Sequence, residues 1–355
     1  MRTFDYLSLS QKSWDMDILN LVAKIREHKG RQDLYIKQKP AELSRMTAIA
    51  RIQSTEASNE IEGIITTGAR LKQLMEEKTK PRNRDEREIL GYRDVLNTIH
   101  ENYSHIPIKP SYILQLHRDL LKRSGLAMAG KYKAVQNYII ETRADGTSFT
   151  RFTPAAPHET ESAVNLICAA YEKALASELI DPLILIPVFI ADFLCIHPFS
   201  DGNGRLSRLM TLLLLYQSGH HVGKYISIEK EIELTKDRYY EALERSNDGW
   251  HEGKNAPVPF IRYMLQIILS AYIKFEERIG DVKGIGVQST AYEIAQHYVK
   301  NTIGAFTGAD AVVNCPSLSR SSVLAALSRM VSEGYLVRLG AGRSTRYVRA
   351  DKTEQ

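Results

Sequence analysis

The chain has 355 residues, 43% of them hydrophobic and 25% charged, with 47 Lys and Arg against 42 Asp and Glu. That length fits two or three domains, and that balance excludes a disordered, a collagen-like or a disulfide-stapled chain. A formal net charge of +5 is compatible with a phosphate-bearing ligand or nucleic acid and requires neither.

Met1 to Ser10 carries Asp5 and lacks the apolar core of a secretory signal. Trp14, Ile18, Leu21, Val22 and Ile25 recur at helical spacing and mark a first amphipathic helix, closed near Gly30. A second helix is predicted from about Ala41 to Ile61, after Pro40 and before Gly63, which suits the left-handed conformation that ends a helix. Others follow around 66–78, 84–101 and 110–123, the last opening on Pro110. From Lys131 to Phe152 the pattern changes to a short β-hairpin: Ala134 to Ile140, the turn signal Ala144-Asp145-Gly146, then Ser148 to Phe152. Helices resume over 158–179 and after Asp181-Pro182, a capping carboxylate followed by a first-turn proline. That helix holds the apolar run Leu183 to Ile196, too short to span a bilayer, so no membrane is expected. A tight loop leads to a helix through Gln217, and Thr235–Ser246 and Val258–Ile279 complete the helical region.

Residues 280–287 hold three glycines in eight positions and read as a linker. Residues 288–355 read as a winged helix-turn-helix domain. Its helices are Ala291–Val299, Gly308–Asn314 and Ser319–Glu333, the last with Val323, Leu324, Leu327 and Met330 inward. A two-stranded wing follows to Arg349. Ser319, Arg320, Ser321 and Ser322 could touch phosphates or bases, and Arg343 and Arg346 the DNA backbone. Over 286–355 eight Lys and Arg face five Asp and Glu. That is a weak field, so a protein-docking winged helix without DNA stands as the competing reading. Cys168, Cys195 and Cys315 are widely spaced and form no CxxC pair, which points to a reducing, cytoplasmic setting.

The most informative segment is His197-Pro198-Phe199-Ser200-Asp201-Gly202-Asn203-Gly204-Arg205-Leu206-Ser207-Arg208. Gly202 and Gly204 flank Asn203 where a helix begins, and unpaired N–H groups at a helix start make an anion site. Arg205 and Arg208 are one turn apart, a spacing that suits adjacent phosphates on one side. Asp201 is a hard oxygen donor for Mg²⁺ shared with phosphates. His197 ends the preceding helix and suits a general base. Nine specified residues would coincide by chance on the order of once in a billion chains.

The string matches HPFx(D/E)GNGRxxR and resembles the signature of the Fic family, whose helical core would cover about residues 100–275. The resemblance implies a mainly α fold with a small hairpin flap. It divides the chain into an N-terminal helical region, 1–100, a catalytic core, 101–279, the linker and the winged helix. It implies transfer of AMP from ATP to a Ser, Thr or Tyr hydroxyl of a target protein. His197 would take the hydroxyl proton, and Asp201 would hold Mg²⁺. Gly202, Asn203 and Gly204 would position the α-phosphate, Arg205 the β- and Arg208 the γ-phosphate, with Leu206 and Ser207 in the same ATP-binding turn. Gln136, Ile139, Ile140 and Glu141 lie where flap contacts with a target strand would fall. Tyr239, Tyr240 and Asn247 match a base pocket, with core packing as the other reading of Tyr239.

Ser58-Asn59-Glu60-Ile61-Glu62-Gly63 fits the family's inhibitory pattern (S/T)xxxE(G/N). The resemblance implies that Glu62, four residues after Ser58 and next to Gly63, pairs with Arg208 and denies it to the γ-phosphate. Another Fic-type nucleotidyl- or phosphotransferase, or a DNA-binding regulator with a nucleotide-sensing core, remain alternatives. The sequence names no target and no trigger, and leaves a homodimer open. Gly125 to Tyr132 mimics a phosphate-binding P-loop but ends in Tyr132 where Ser or Thr should reach Mg²⁺. His220-His221 lacks partners at metal-ligand spacing.

Overall fold

A computed structural model describes residues 2–38, 40–142, 147–284, 291–302, 305–315, 318–340, 342 and 345–350. Backbone packing divides the chain into Met1–Arg31 with Ala50–Tyr272, and Gln32–Ile49 with Ile273–Gln355. The division falls inside three helices, α1 (Met16–Gln38), α2 (Pro40–Ile61) and α11 below. After them the first unit runs through α3 (Gly68–Met75), α4 (Arg84–Asn102) and α5 (Pro110–Leu121). A two-stranded antiparallel hairpin follows, β1 (Ile139–Thr142) and β2 (Ser148–Phe152). Then come α6 (Pro157–Ala176), α7 (Pro182–Ile196), α8 (Asn203–Gln217), α9 (Ile228–Leu234), α10 (Lys236–Asn247) and α11 (Val258–Gly284).

Three helices depart from the sequence expectation. α1 passes through Gly30 instead of stopping there; an interior glycine costs a helix only about 1 kcal/mol. α9, opened by the Ser227 side chain accepting from Lys230 N–H, falls between Gln217 and Thr235, where no helix is expected. α11 continues to Gly284, so the first five residues of the expected linker are helical, and 285–287 lie outside the described residues. The same helix bears on the membrane question. Val258–Ile279 is long and apolar enough to cross a bilayer, but 56% of it is buried within the fold, as in the core helix of a globular unit.

α7 is the centre of the first unit. Every residue from Leu183 to Ile196 is buried, because the helix is apolar on all sides except at Asp192. It starts where the Asp181 carboxylate accepts from Leu183 N–H at 2.9 Å, and it packs between α6 and α8. β1 begins at Ile139, later than expected, and pairs Glu141 with Phe149 and Thr142 with Ser148. The turn Ala144-Asp145-Gly146 lies outside the described residues.

The second unit contains α12 (Ala291–Asn301), β3 (Phe306–Thr307), α13 (Gly308–Asn314), α14 (Arg320–Ser332), β4 (Leu336–Leu339) and β5 (Arg346–Arg349). The sheet order is β3-β5-β4, so a third strand joins the expected pair. Val323, Leu327 and Met330 of α14 are buried with Phe306 and Tyr347, and Leu324 packs at the edge of that cluster. Arg343 lies outside the described residues.

Candidate active site

His197 terminates α7 in the left-handed conformation, φ 50° and ψ 61°, rare for a residue with a Cβ. Its ring Nδ1 lies 3.2 Å from the Leu194 carbonyl oxygen. A carbonyl only accepts, so Nδ1 carries the hydrogen and Nε2 keeps its lone pair. The residue lines a cavity of about 870 Å³. Burial, with a smaller push from Lys133, lowers its pKa to about 4 against the opposing effects of the Leu194 carbonyl, Glu62 and Asp201. At neutral pH the ring is an uncharged base.

The loop after it is braced on all sides. Asn203 closes it from within: Phe199 N–H donates to Asn203 Oδ1 at 3.0 Å and Asn203 Nδ2 donates to Phe199 O at 2.7 Å. These two bonds let Asn203 shape the cradle and leave its second amide N–H for a ligand. Lys133 Nζ donates to Ile196 O at 2.9 Å and to Asn137 Oδ1 at 2.8 Å. Asn137 Nδ2 donates to Phe199 O at 3.0 Å and to His197 O at 3.3 Å. His117 accepts at Nδ1 from Gly130 N–H (3.0 Å), which leaves Nε2–H to donate to Asp201 O (3.0 Å). Its ring stacks on Phe199 with centroids 3.7 Å apart. Gly202, at φ 81°, turns the chain into α8 through a conformation that favours glycine. The first N–H groups of α8 have no partner within the helix.

The two arginines part company, contrary to the expectation of one shared side. Arg205 is 1% exposed, its Nη1 2.6 Å from Glu88 Oε2 of α4 and its Nη2 3.3 Å from Asp201 Oδ1. Arg208 turns to α2, donating from Nε to Ser58 Oγ, and from Nη2 to Ser58 O and Glu62 Oε1, each at 2.8 Å. Three residues along a helix turn the side chain by about 60°, enough to send them to different neighbours. Burial, the largest single effect, works against the charge of Arg208, but Glu62, with Tyr239 and Tyr92, holds the guanidinium above its ordinary range. Leu206 is fully buried, and Ser207 Oγ donates to Gly204 O at 2.7 Å. Arg205, Leu206 and Ser207 do not line the cavity, because the helical period turns them into the core, while Asn203, Gly204 and Arg208 do line it.

Glu62 reaches the cavity from the end of α2. Gly63 N–H donates to Glu60 O and Ile64 N–H to Asn59 O, both at 3.0 Å, the paired bonds of a Schellman end with Gly63 at φ 76°. That end fixes Glu62 just past the last turn. A Cβ on Gly204 would fall 2.2 Å from Glu62 Oε1, so the carboxylate sits directly on the first turn of α8.

Tyr239, Tyr240 and Asn247 all line the cavity. Tyr239 is 3% exposed and packs edge-on against Phe260 and Tyr263, so it serves the core and the wall together. Asn247 Oδ1 is buried with no hydrogen-bond partner among the described residues. Of the expected flap residues only Ile139 lines the cavity. Gln136 Nε2 donates to Asn137 O at 3.0 Å and Pro154 O at 3.1 Å, tying the flap down instead of facing a partner. Ile140 is exposed, and the side chain of Glu141 lies outside the described residues.

Asp201 accepts from Gly202 N–H at 2.6 Å and from Arg84 Nη2 at 3.0 Å. Among the described residues no cluster of three His, Cys, Asp or Glu could hold an ion alone. A single hard carboxylate beside an anion cradle instead fits Mg²⁺ held jointly with substrate phosphates, once Arg84 gives way. Cys195, two residues before His197, is fully buried and burial pushes its thiol far up, which leaves it inert.

Residues 107–215 match the model of the Fic/DOC family. They form a Fic domain. The chain is 28% identical over 229 residues to the protein adenylyltransferase Fic of Nematostella vectensis, covering 61% of this chain and 46% of that protein. It is 26% identical over 185 residues to the protein adenylyltransferase fic-1 of Caenorhabditis elegans, covering 51% and 32%. The alignments thus span less than half the length of these relatives. A crystal structure of a Fic family protein from Desulfovibrio desulfuricans G20 superposes with a TM-score of 0.61 at 20% identity over 97% of this chain and 98% of that one. A Fic domain containing signaling protein from Bacteroides thetaiotaomicron VPI-5482 superposes at 0.57 and 23% identity, over 73% and 94%. At such identities the likeness shows the helical Fic fold. Within the Fic domain the sequence reading passed over His117, Lys133 and Asn137, and outside it Arg84 and Glu88. His117 precedes Arg118 and Asp119, and Lys133 follows Lys131 by two residues, so neither stands out in the sequence as a buried group.

Proposed function

We propose that this protein transfers AMP from ATP to Ser, Thr or Tyr hydroxyls of a target protein, itself among them, and that Glu62 holds it inhibited. The observation that carries the reading is the tautomer of His197. With Nδ1 engaged by the Leu194 carbonyl, Nε2 keeps its lone pair, His197 lines the same cavity as the start of α8, and the curated relatives are named protein adenylyltransferases. Nε2 takes the proton of the incoming hydroxyl. The oxygen bonds to the α-phosphorus, the bond to the β-phosphate oxygen breaks, and pyrophosphate leaves. The N–H groups at the start of α8 meet the charge gathering on the α-phosphate. Asp201 would hold Mg²⁺, which would supply charge neutralisation between the phosphates. Asn247 and the tyrosine pair would face the base. The outer edges of the β1–β2 hairpin suit strand-like pairing with a target segment.

Incubation with labelled ATP tests the chemistry. Retention of α-label on protein is the expected result; retention of γ-label would mean phosphotransfer, and no label from an active-loop-intact, Glu62-altered protein would favour a nucleotide-sensing regulator. The three cysteines are buried and form no disulfide among the described residues, which supports a reducing, cytoplasmic setting.

We also propose that residues 288–355 are a DNA-binding winged helix. The order helix, strand, two helices and two strands supports the fold, and exposed Arg346 on β5 supports contact with phosphates. DNA affinity should then fall steeply with salt, and Arg346→Ala should lower the slope of log K against log salt by about 1. Binding that is absent or insensitive to salt across random DNA would favour a protein-docking role.

A further inference from the structure

The end of α10 and the turn after it carry Asn247 and Trp250 to the cavity wall, and this stretch is held from behind by residues 2–6. Trp250 Nε1 donates to Asp192 Oδ1 at 2.7 Å, and Tyr6 Oη donates to Asp192 Oδ2 at 2.8 Å. Asp192 lies in α7, five residues before His197, and is 2% exposed. Arg2 Nη1 donates to Trp250 O at 2.6 Å and to Asn255 Oδ1 at 2.7 Å. The Arg2 guanidinium lies over the Trp250 ring, 5.0 Å from its centroid, and 3.7 Å from Asp192. Trp250 N–H donates to Asn247 O at 3.0 Å, so fixing the indole also fixes the asparagine. Phe152, at the end of β2, stands edge-on to Trp250 at 6.2 Å. Arg2 and Tyr6 do not themselves line the cavity.

The chemistry of Asp192 makes this arrangement rigid. Both oxygens of a buried carboxylate are occupied, one by each ring. Rotating the indole away would strand a buried acceptor without its donor, a penalty larger than the worth of an ordinary hydrogen bond. Asn247 Oδ1 is a buried acceptor with no partner among the described residues. Its usefulness to a ligand depends on where Trp250 holds it.

We infer that residues 2–6 form a strap in which Arg2 and Tyr6, with Asp192, are positioning residues for the base-facing wall, setting the affinity and base selectivity for a nucleoside triphosphate. The inference rests on the nucleotide-binding reading above and adds a determinant that lies outside the cavity. The strap acts on the base end and leaves His197 and the α8 cradle alone. Its loss should therefore appear in nucleotide affinity and not in turnover of bound nucleotide.

The test uses the full chain with Trp14→Phe, which leaves Trp250 as the sole tryptophan. Trp250 emission, Mg-ATP and Mg-UTP dissociation constants by calorimetry, and KM and kcat of self-labelling are measured for Tyr6→Phe, Arg2→Gln and Asp192→Asn. Expected are red-shifted emission, an ATP dissociation constant raised about tenfold, the worth of one charge-assisted hydrogen bond, and a narrower ATP-to-UTP ratio. KM should follow the dissociation constant while kcat changes less than about twofold. Should Asp192→Asn not fold, Tyr6→Phe, which keeps the ring, carries the test. Unchanged emission would overturn the strap, and shifted emission with unchanged affinity and selectivity would overturn its link to nucleotide. A wild-type protein that binds no nucleotide overturns the nucleotide reading itself, and the wild-type titration distinguishes that failure.

Discussion

Replacing His197 with alanine abolishes labelling from α-labelled ATP, by at least about a hundredfold, while ATP binding stays nearly intact. A positioned general base contributes about 10²–10⁴ in rate, and the ring acts on the incoming hydroxyl, not on the nucleotide. The substitution leaves the loop standing, since Asn203, Lys133, Asn137 and His117 hold it through main-chain atoms. Calorimetry beside a labelling assay separates the two effects, and substantial labelling by the variant would remove His197 from its role. The pH profile adds an independent check with a definite sign. A histidine with pKa about 4 stays neutral as pH falls from 7.5 to 6, so the rate should hold nearly constant over that range. An ordinary histidine, with pKa about 6.5, would retain only about a quarter of its neutral form at pH 6. A fall of that size would mean the base is not desolvated as its surroundings indicate.

The active loop was legible because its residues are contiguous: a helix end, two glycines, a carboxylate and two arginines announce an anion cradle within twelve positions. The central helix was legible for the same reason, being apolar on every face from Leu183 to Ile196. What could not be read is what depends on distant partners. Arg205 was expected on a phosphate, but Glu88, 117 positions away, takes its guanidinium. Asn203 lines the cavity as expected of a phosphate contact, and what could not be read is that it also closes its own loop on Phe199. Lys133 is a surface residue by type, and only the fold shows that its ammonium ends on a helix-terminal carbonyl. The N-terminal turn Tyr6–Gln11 gave no signal in periodicity, since six residues are too few to display one. α1 was stopped at Gly30 on a local rule that a long helix overrides.

Glu62→Gly raises the rate of self-labelling strongly and lowers the melting temperature by a few degrees. Arg208 is 3% exposed and the Glu62 side chain 32%, so their contact is shielded on one side and open on the other. The carboxylate does two things at once. It occupies Arg208 Nη2 at 2.8 Å, and it rests against Gly204 on the first turn of α8, 2.2 Å from where a Cβ would stand. A triphosphate needs both places, the guanidinium for its far end and the helix start for its charge, and two anions cannot share either. Removing the side chain frees both without altering any group that touches the reacting atoms. It does not unravel α2, because the helix already ends at Ile61 and its last bonds are made by the backbone of Gly63 and Ile64. The stability cost follows from the buried partner left behind. Breaking a buried pair from one side costs about 3–5 kcal/mol; here Ser58 Oγ and Ser58 O still accept from Arg208, so the loss should be nearer about 1–2 kcal/mol, the worth of one charged hydrogen bond. Glu62→Gln should fall between the two proteins in rate, since an amide oxygen can still accept from Arg208 but carries no charge to repel a phosphate. Initial labelling rates and thermal melts of the three proteins decide it. Equal rates for wild type and Glu62→Gly, with both folded, would reduce residues 58–63 to the end of a helix.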